Sequence, residues 1–187
     1  IEMGKKEGIN ITCEATPHHF SFSDDEILKN AYDTNFKMSP PLREISDVKA
    51  VREALKSGLI DVIATDHAPH HTDEKIVEFD KAPFGIIGLQ TLVPLTLKLV
   101  NEGVINLERM VELTSTNAAK MLNLKDKGRL AEGMLADIAV IDPEIEYVYD
   151  EKINRSKSVN SPLFGKKLKG AATTTIKSGK IVYEFGK

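Results

Sequence analysis

The sequence contains little cysteine, no long apolar run and little net charge. Cys13 is the only cysteine among 187 residues, which excludes an internal disulfide and fits a reducing compartment such as the cytoplasm. No apolar stretch approaches the roughly 18 residues of a membrane span, and no signal-peptide pattern is present. The formal charge of −3 gives no reason to expect nucleic acid or a membrane as a partner. We expect a globular cytoplasmic protein.

Three familiar catalytic patterns are also absent: a phosphate-binding glycine loop, a Ser-His-Asp signature and a CxxC zinc ribbon. What the chain does contain is a β-branched run over residues 60–65 that ends abruptly in polar residues. The acid and histidines of this segment are Asp66, His67, His70 and His71. Because α/β enzymes carry their chemistry at the carboxyl ends of strands, this segment predicts the edge of an active site.

The segments around this cluster follow the order expected of a parallel α/β fold. The order helix, glycine, strand and histidine loop occurs twice. First, a helix tail that ends at Gly8 precedes a strand over 9–15 and the pair His18-His19. Second, a helix capped by Ser46 and ended by Gly58 precedes the strand over 60–65. A capping box at Ser23 with Glu26 predicts a short helix between them. Residues 67–87 read as a loop, and further helices are expected over 89–100, after the cap residue Asn106, and over 117–124.

The composition changes beyond Gly128, where strands replace helices. Strands are expected over 137–141, 146–149 and 173–177, and Ser178-Gly179 predicts a hairpin into a strand over 180–184. Residues 150–171 read as a long connection. The sequence therefore predicts an α/β part over 1–125 and a small β module over 126–187.

Each candidate site residue has a simpler alternative. Asp66 could bind a metal, act as a general base or cap a following helix, and Pro69 disfavours the cap. His67 should point to the opposite side of the strand as a buried support, and His71 could simply be solvated. His70 is expected to be free to reach an anionic substrate, and Phe84-Gly85 to offer a wall and an unobstructed backbone N–H. Without the neighbouring cluster Phe84-Gly85 would be an ordinary turn.

Two further clusters have structural alternatives as well. His18-His19 are at least as well suited to support as to metal ligation, because adjacent histidines rarely bind one ion together. The loop Ser39-Pro-Pro-Leu-Arg43 could place a hydroxyl and a guanidinium at the site, although Arg43 could equally make only a structural salt bridge. Cys13 is expected to be a small core residue.

Several motifs together resemble one family. They are Glu14-Ala-Thr-Pro-His-His19, Lys37-Met-Ser-Pro-Pro-Leu-Arg43, Ile63-Ala-Thr-Asp-His-Ala-Pro-His70, Pro83-Phe-Gly-Ile86 and Lys127-Gly-Arg-Leu-Ala-Glu-Gly133. In this order and spacing they look like the C-terminal part of the bacterial type I dihydroorotases, within the amidohydrolase superfamily. The resemblance covers essentially the whole chain, and its Ala-Thr-Asp-His-Ala-Pro-His stretch is highly specific.

The resemblance implies the last strands and helices of a zinc-dependent (β/α)₈ barrel and a β-sandwich-like domain made from both chain ends. The implied reaction is the reversible cyclisation of N-carbamoyl-L-aspartate to dihydroorotate in pyrimidine synthesis. Asp66 would end the eighth strand, bind the metal and, during hydrolysis, move a proton from metal-bound hydroxide to the departing ring nitrogen. His70 and the Phe84-Gly85 backbone would hold the substrate.

The chain departs from this family in two ways. Ser39 stands where the family usually has a substrate-binding asparagine, so that contact should be weaker or bridged by water. Asp66 is also the only expected metal ligand present, and one carboxylate cannot provide the three or four protein ligands of a catalytic zinc. Because the chain starts without methionine, we expect a fragment that is inactive and unstable without the N-terminal part, which would carry the other ligands for one or two zinc ions.

Related functions remain as alternatives. Allantoinases and hydantoinases also hydrolyse cyclic amides, although Thr16-Pro-His-His19 favours dihydroorotase. A non-catalytic dihydroorotase-like subunit that scaffolds aspartate transcarbamoylase is a second alternative: Ser39 favours it weakly, and Asp66 and His70 oppose it. A homodimer would be usual for the family, and the resemblance also allows an association with aspartate transcarbamoylase.

Overall fold

A computed structural model describes all residues from 1 to 187. Two short strands, β1 (Glu14–Ala15) and β2 (Val62–Ile63), pair in parallel, with Glu14 opposite Val62 and Ala15 opposite Ile63. This confirms the parallel arrangement predicted from the repeated order of elements. The ladder is shorter than the strands predicted over 9–15 and 60–65, because a lone pair of strands has few partners for its backbone groups.

Helices surround the parallel pair. They are α1 (Glu2–Lys6), α2 (Asp25–Lys29), α3 (Ile45–Ser57), α4 (Thr72–Lys75), α5 (Leu92–Asn101), α6 (Leu107–Val111) and α7 (Asn117–Met121), with a 3₁₀ turn at Thr34–Phe36 and a π-helical turn at Glu112–Thr116. No helix has the length and apolarity needed to cross a membrane. The helices bury a core of ten apolar residues that includes Phe20, Leu55, Ile63, Leu97 and Leu113.

Helix ends show where the sequence patterns were right and where they were wrong. Gly58 ends α3 at φ 85°, and the side chain of Asn106 accepts from the Arg109 N–H at the start of α6, as predicted. Ser23 and Ser46 make no cap: α2 and α3 begin after Asp24 and Glu44, without a side-chain hydrogen bond at either N-terminus. Ser46 lies instead inside the first turn of α3.

The segment predicted as a loop over 67–87 contains a helix. Helix α4 begins after His71, whose ring accepts from the Asp73 N–H at 3.3 Å, while the Glu74 carboxylate accepts from the His71 N–H at 2.9 Å. This capping box satisfies two donors at the helix start, which is why a helix forms so soon after Pro69. The prediction of an uninterrupted loop over 67–87 was therefore wrong, whereas no helix follows Asp66 directly, as Pro69 predicted.

The C-terminal part forms a three-stranded antiparallel sheet in the order β3, β4, β5. Its strands are β3 (Ile138–Val148), β4 (Lys167–Lys177) and β5 (Lys180–Glu184). The predicted hairpin at Ser178-Gly179 is confirmed, and both of its turn residues have positive φ. Strand β3 is continuous through an irregularity between Asp142 and Glu146, where two strands were predicted, and β4 begins within the predicted 150–171 connection.

Candidate functional site

Asp66 lies three residues after β2, beyond the half-buried Ala64 and Thr65. Val62 and Ile63 are buried, whereas Asp66 is exposed and takes a positive φ of 46°. Only a few per cent of non-glycine residues adopt positive φ, and aspartate is enriched among them. The left-handed turn ends the extended backbone, so the carboxylate stands at the strand end, accessible to solvent.

His67 is held by the neighbouring segment. Its backbone forms a parallel bridge with Ile86, and its Nδ1 accepts from the Gly88 N–H at 3.0 Å. An accepting Nδ1 carries no proton, so the neutral ring keeps its proton on Nε2. His67 is hydrogen-bonded as predicted, but it is half-buried where full burial was predicted. The predicted reason, that side chains alternate between the two sides of a continuing strand, does not apply, because the positive φ of Asp66 interrupts the strand.

His70 is not free, contrary to the expectation from its place in the turn. Its Nε2 lies 2.9 Å from the Phe84 carbonyl, which can only accept, and its Nδ1 lies 3.6 Å from the Glu74 carboxylate. The ring therefore links the start of α4 to the Phe84 loop. To contact a substrate, His70 must either use the exposed part of its ring or exchange one of these partners.

Gly85 also differs from expectation. Its backbone N–H, expected to be unobstructed, donates to the Lys37 carbonyl at 2.9 Å. The neighbouring N–H of Phe84 donates to no acceptor in the protein, and the Phe84 ring is 55% exposed. The Lys37 ammonium lies 4.7 Å from the centre of that ring. Of the Phe84 and Gly85 N–H groups, the free donor is thus that of Phe84.

Ser39 lies in the loop beside this cluster. It is exposed and precedes Pro40 through a cis peptide bond. The neighbouring Pro40 carbonyl accepts from His19 Nε2 at 2.9 Å, and His19 Nδ1 lies 2.6 Å from the Thr16 hydroxyl. His19 therefore ties the loop after β1 to the Ser39 loop. Arg43 pairs with Asp47 at 3.4 Å, the structural salt bridge considered as its simpler role.

His18 is buried beneath the loop after β1. It is 2% exposed, its Nε2 has no hydrogen-bond partner, and its ring centre lies 4.4 Å from that of His19. Burial, with a smaller contribution from His19, lowers the pKa of His18 to about 3. Within this chain His18 is therefore a neutral supporting residue at neutral pH.

The low pKa of His18 predicts a loss of stability in mild acid. Above the ordinary pKa of 6.5 both the folded and unfolded states hold His18 neutral. As the pH falls from 6.5 towards 3, only the unfolded state gains the proton, so folding should lose up to about 1.4 kcal/mol per pH unit. We expect His18→Gln to flatten the decline of the melting temperature between pH 6.5 and 4.5. Equal slopes in the wild type and the His18 variant would contradict this assignment.

Two residues that the sequence reasoning missed hold these loops together. Asn160 is 4% exposed; its amide donates to the Ala68 carbonyl at 2.9 Å and the Gly85 carbonyl at 3.3 Å, and its Oδ1 accepts from the His70 N–H at 3.2 Å. Lys75 is 6% exposed and donates to the carbonyls of Pro83 and Gly85. Local patterns give no signal for Asn160, because its partners lie 75 to 92 residues away along the chain.

No group of three or more His, Cys, Asp or Glu side chains converges in a way that could hold a metal ion. Asp66 is an exposed carboxylate and could supply one oxygen ligand, whereas His67 and His70 make the hydrogen bonds described above. These 187 residues therefore fit a contribution to a metal site and do not fit a complete one.

Comparison with known proteins gives a consistent family assignment. Residues 10–182 match the family described as the amidohydrolase family. The chain is 52% identical to the dihydroorotase of Geobacter metallireducens and 46% identical to that of Endomicrobium trichonymphae, in each case over 98% of this chain and 43% of the relative. Among solved structures it matches the L-hydantoinase of Arthrobacter aurescens with a TM-score of 0.92 and 31% identity, over 100% of this chain and 42% of that one. The chain thus spans less than half the length of these relatives, and it belongs to the amidohydrolase family.

Proposed function

We propose that this chain forms the C-terminal part of a dihydroorotase that interconverts N-carbamoyl-L-aspartate and dihydroorotate. The observation that carries the proposal is 46–52% identity to curated dihydroorotases over 98% of the chain, together with an exposed Asp66 at a strand end. The remaining barrel strands and the other half of the β-sandwich-like domain would come from the segment that precedes these residues in the relatives. The coverage of 43% supports this arrangement.

In the proposed reaction Asp66 holds and moves the proton. In the hydrolytic direction it takes the proton of the attacking hydroxide and delivers it to the departing ring nitrogen. During cyclisation it takes the proton from the attacking carbamoyl nitrogen and gives it to the departing carboxylate oxygen, which leaves as hydroxide. A zinc ion, when bound, would polarise the reacting carbonyl; within this chain Asp66 is the residue that would contribute to holding it. Its exposure at the strand end supports this role, since a substrate can reach the carboxylate.

The substrate's carboxylate and ring would be held by the cluster around Phe84. The free Phe84 N–H is a suitable backbone donor to an anion, because the Gly85 N–H is already committed to Lys37. The Gly85 peptide would shape the loop, and His70 would contribute the exposed part of its ring. Ser39 would approach from the adjacent loop.

Ser39→Asn tests this placement. An asparagine amide can donate and accept at once, whereas the shorter serine hydroxyl reaches less far. If residue 39 faces the substrate, the variant should lower KM for dihydroorotate by about fivefold, the value of roughly one additional hydrogen bond. Ser57→Asn, at an exposed site on the last turn of α3, should leave KM unchanged. An unchanged KM in Ser39→Asn would place residue 39 outside the substrate site.

The competing function is hydrolysis of hydantoins, favoured by the likeness to solved hydantoinase structures. Sequence identity to those proteins is 24–31%, well below that to the dihydroorotases. The discriminating experiment is to assay the complete metal-loaded protein with dihydroorotate, hydantoin and allantoin in parallel. We expect turnover of dihydroorotate at least a hundredfold faster than of the other two; a preference for hydantoin or allantoin would overturn the proposal.

A further inference from the structure

The backbone N–H and C=O of Gly85 are bonded to three other segments of the chain. Its N–H donates to Lys37 in the Ser39 loop, and its carbonyl accepts from the Lys75 ammonium of α4 at 3.2 Å and from the Asn160 amide at 3.3 Å. Gly85 is buried, so its backbone N–H and C=O must be hydrogen-bonded inside the protein. Here the partners come from three other segments, which together fix the backbone on both sides of Gly85.

Among the partners of Gly85, Lys75 is unusual because it is a buried lysine. Its ammonium is nearly inaccessible to solvent and donates to two carbonyls, of Pro83 at 2.9 Å and of Gly85 at 3.2 Å. Its own carbonyl accepts from the buried Thr34 hydroxyl at 2.6 Å, which fixes the backbone that presents the side chain. A buried ammonium is costly unless it is hydrogen-bonded, and here two backbone carbonyls of one short segment, those of Pro83 and Gly85, accept from it.

We propose that Lys75 is a positioning residue for substrate binding, which holds the Pro83–Gly85 backbone so that the Phe84 N–H faces the substrate. In a planar trans peptide the N–H points opposite to the C=O. The Pro83 carbonyl points to the Lys75 ammonium, so the N–H of the same peptide, which belongs to Phe84, points away from it. That N–H is the one left without an acceptor.

The same geometry strengthens the donor. A cation on the carbonyl oxygen draws electron density through the peptide and polarises its N–H, as in cooperative chains of hydrogen bonds. The ligand class that this donor favours is an anion with planar oxygens, such as a carboxylate. Burial lowers the pKa of Lys75 to about 8, with Asp33 opposing and Lys37 adding to this shift, so the ammonium remains mostly charged at neutral pH.

This inference rests on the proposed function, because it assigns a role within that substrate site. The test uses the complete protein with Lys75→Met, which is unbranched and one atom shorter and removes the charge and the donors. The matched control is Lys81→Met, an exposed lysine in the same loop whose ammonium pairs only with Glu78. Two readouts are measured: KM and kcat for dihydroorotate, and amide hydrogen exchange over residues 83–88.

We expect Lys75→Met to raise KM by tenfold or more with kcat within threefold of the wild type, because uniform binding is lost while the chemistry is intact. Exchange over residues 83–88 should accelerate at least tenfold, and Lys81→Met should change neither readout. If Lys75→Met does not fold, Lys75→Gln, which keeps a neutral donor, is measured in the same way. We expect its KM to be above that of the wild type, with a smaller rise than the tenfold expected for Lys75→Met.

The outcomes separate the two proposals. An unchanged KM in a folded Lys75 variant of an active enzyme would overturn the role of Lys75 and leave dihydroorotase activity standing. A complete wild-type protein that does not turn over dihydroorotate would overturn the proposed function. In that case hydrogen exchange still decides whether Lys75 fixes the loop, since unchanged exchange over residues 83–88 would contradict it.

Discussion

Asp66→Asn in the complete protein is expected to lower kcat for dihydroorotate by about a thousandfold, within the range for loss of a general acid–base group. Asparagine has the same shape and tolerates the positive φ of this position, so the loop should keep its conformation. The variant loses the ability to exchange a proton, and the loss of charge also weakens its contribution to holding a metal ion. Because Asp66 is exposed and lies at the strand end, few structural contacts depend on its carboxylate.

The matched control for this prediction is Asp73→Asn. Asp73 lies seven residues further along the chain, its side chain is 86% exposed, and its carboxylate contacts only the exposed ring of His71. We expect this variant to keep wild-type kcat, and both variants to keep the wild-type melting temperature within a few degrees. An Asp66→Asn enzyme that retains more than a tenth of wild-type kcat would show that another group moves the proton.

Gly85→Ala is expected to destabilise the protein by roughly 2–5 kcal/mol, from two additive causes. The backbone φ of 98° disfavours any residue with a Cβ, at a cost of about 1–2 kcal/mol. A Cβ at this position would also lie 2.6 Å from the Ala68 Cβ, so the two loops would have to separate, at a further cost of about 1–3 kcal/mol. Because Ala68 lies between Asp66 and His70, the separation should also lower activity.

Two further variants divide these causes. Gly103 has φ 70° and no atom within 4 Å of an added Cβ, so Gly103→Ala reports the cost of positive φ alone. The double variant Gly85→Ala with Ala68→Gly removes the steric contact and should recover at least about 1 kcal/mol relative to Gly85→Ala. Urea denaturation of the four proteins measures these differences. Equal losses in Gly85→Ala and Gly103→Ala would show that the approach to Ala68 imposes no constraint.

The sequence was informative wherever a single local interaction decides the structure. Gly58 ends α3 because glycine adopts positive φ without a steric penalty, and Ser178-Gly179 forms the hairpin turn for the same reason. The parallel pairing of β1 and β2 followed from the repeated order of helix, glycine and strand. The two glycine-containing turns depend on neighbours a few residues apart, whereas the strand pairing was predicted from the order of the elements.

Helix starts were less predictable because several polar residues compete for each cap. Ser23 and Ser46 have suitable side chains, yet the chain enters α2 and α3 without using them. His71 caps α4 instead, in partnership with Glu74. Histidine is an uncommon capping residue, so neither the cap nor the helix was apparent from the pattern.

The site itself was only partly predictable. Asp66 could be identified because a carboxylate directly after a buried strand has no role in packing. The contacts that fix Gly85 could not be identified, since they join residues from three distant segments, at Lys37, Lys75 and Asn160. The choice between the N–H groups of Phe84 and Gly85 depends on those contacts. It therefore required the folded structure.

The central claim is that these residues form one part of a dihydroorotase site, with Asp66 as their contribution to catalysis. The most direct measurement is dihydroorotate turnover by the 187-residue chain alone and by the complete protein, both loaded with zinc under the same conditions. We predict turnover by the complete protein and none by the chain alone, because a single carboxylate cannot hold the metal. A folded, zinc-loaded and active 187-residue chain would contradict the account.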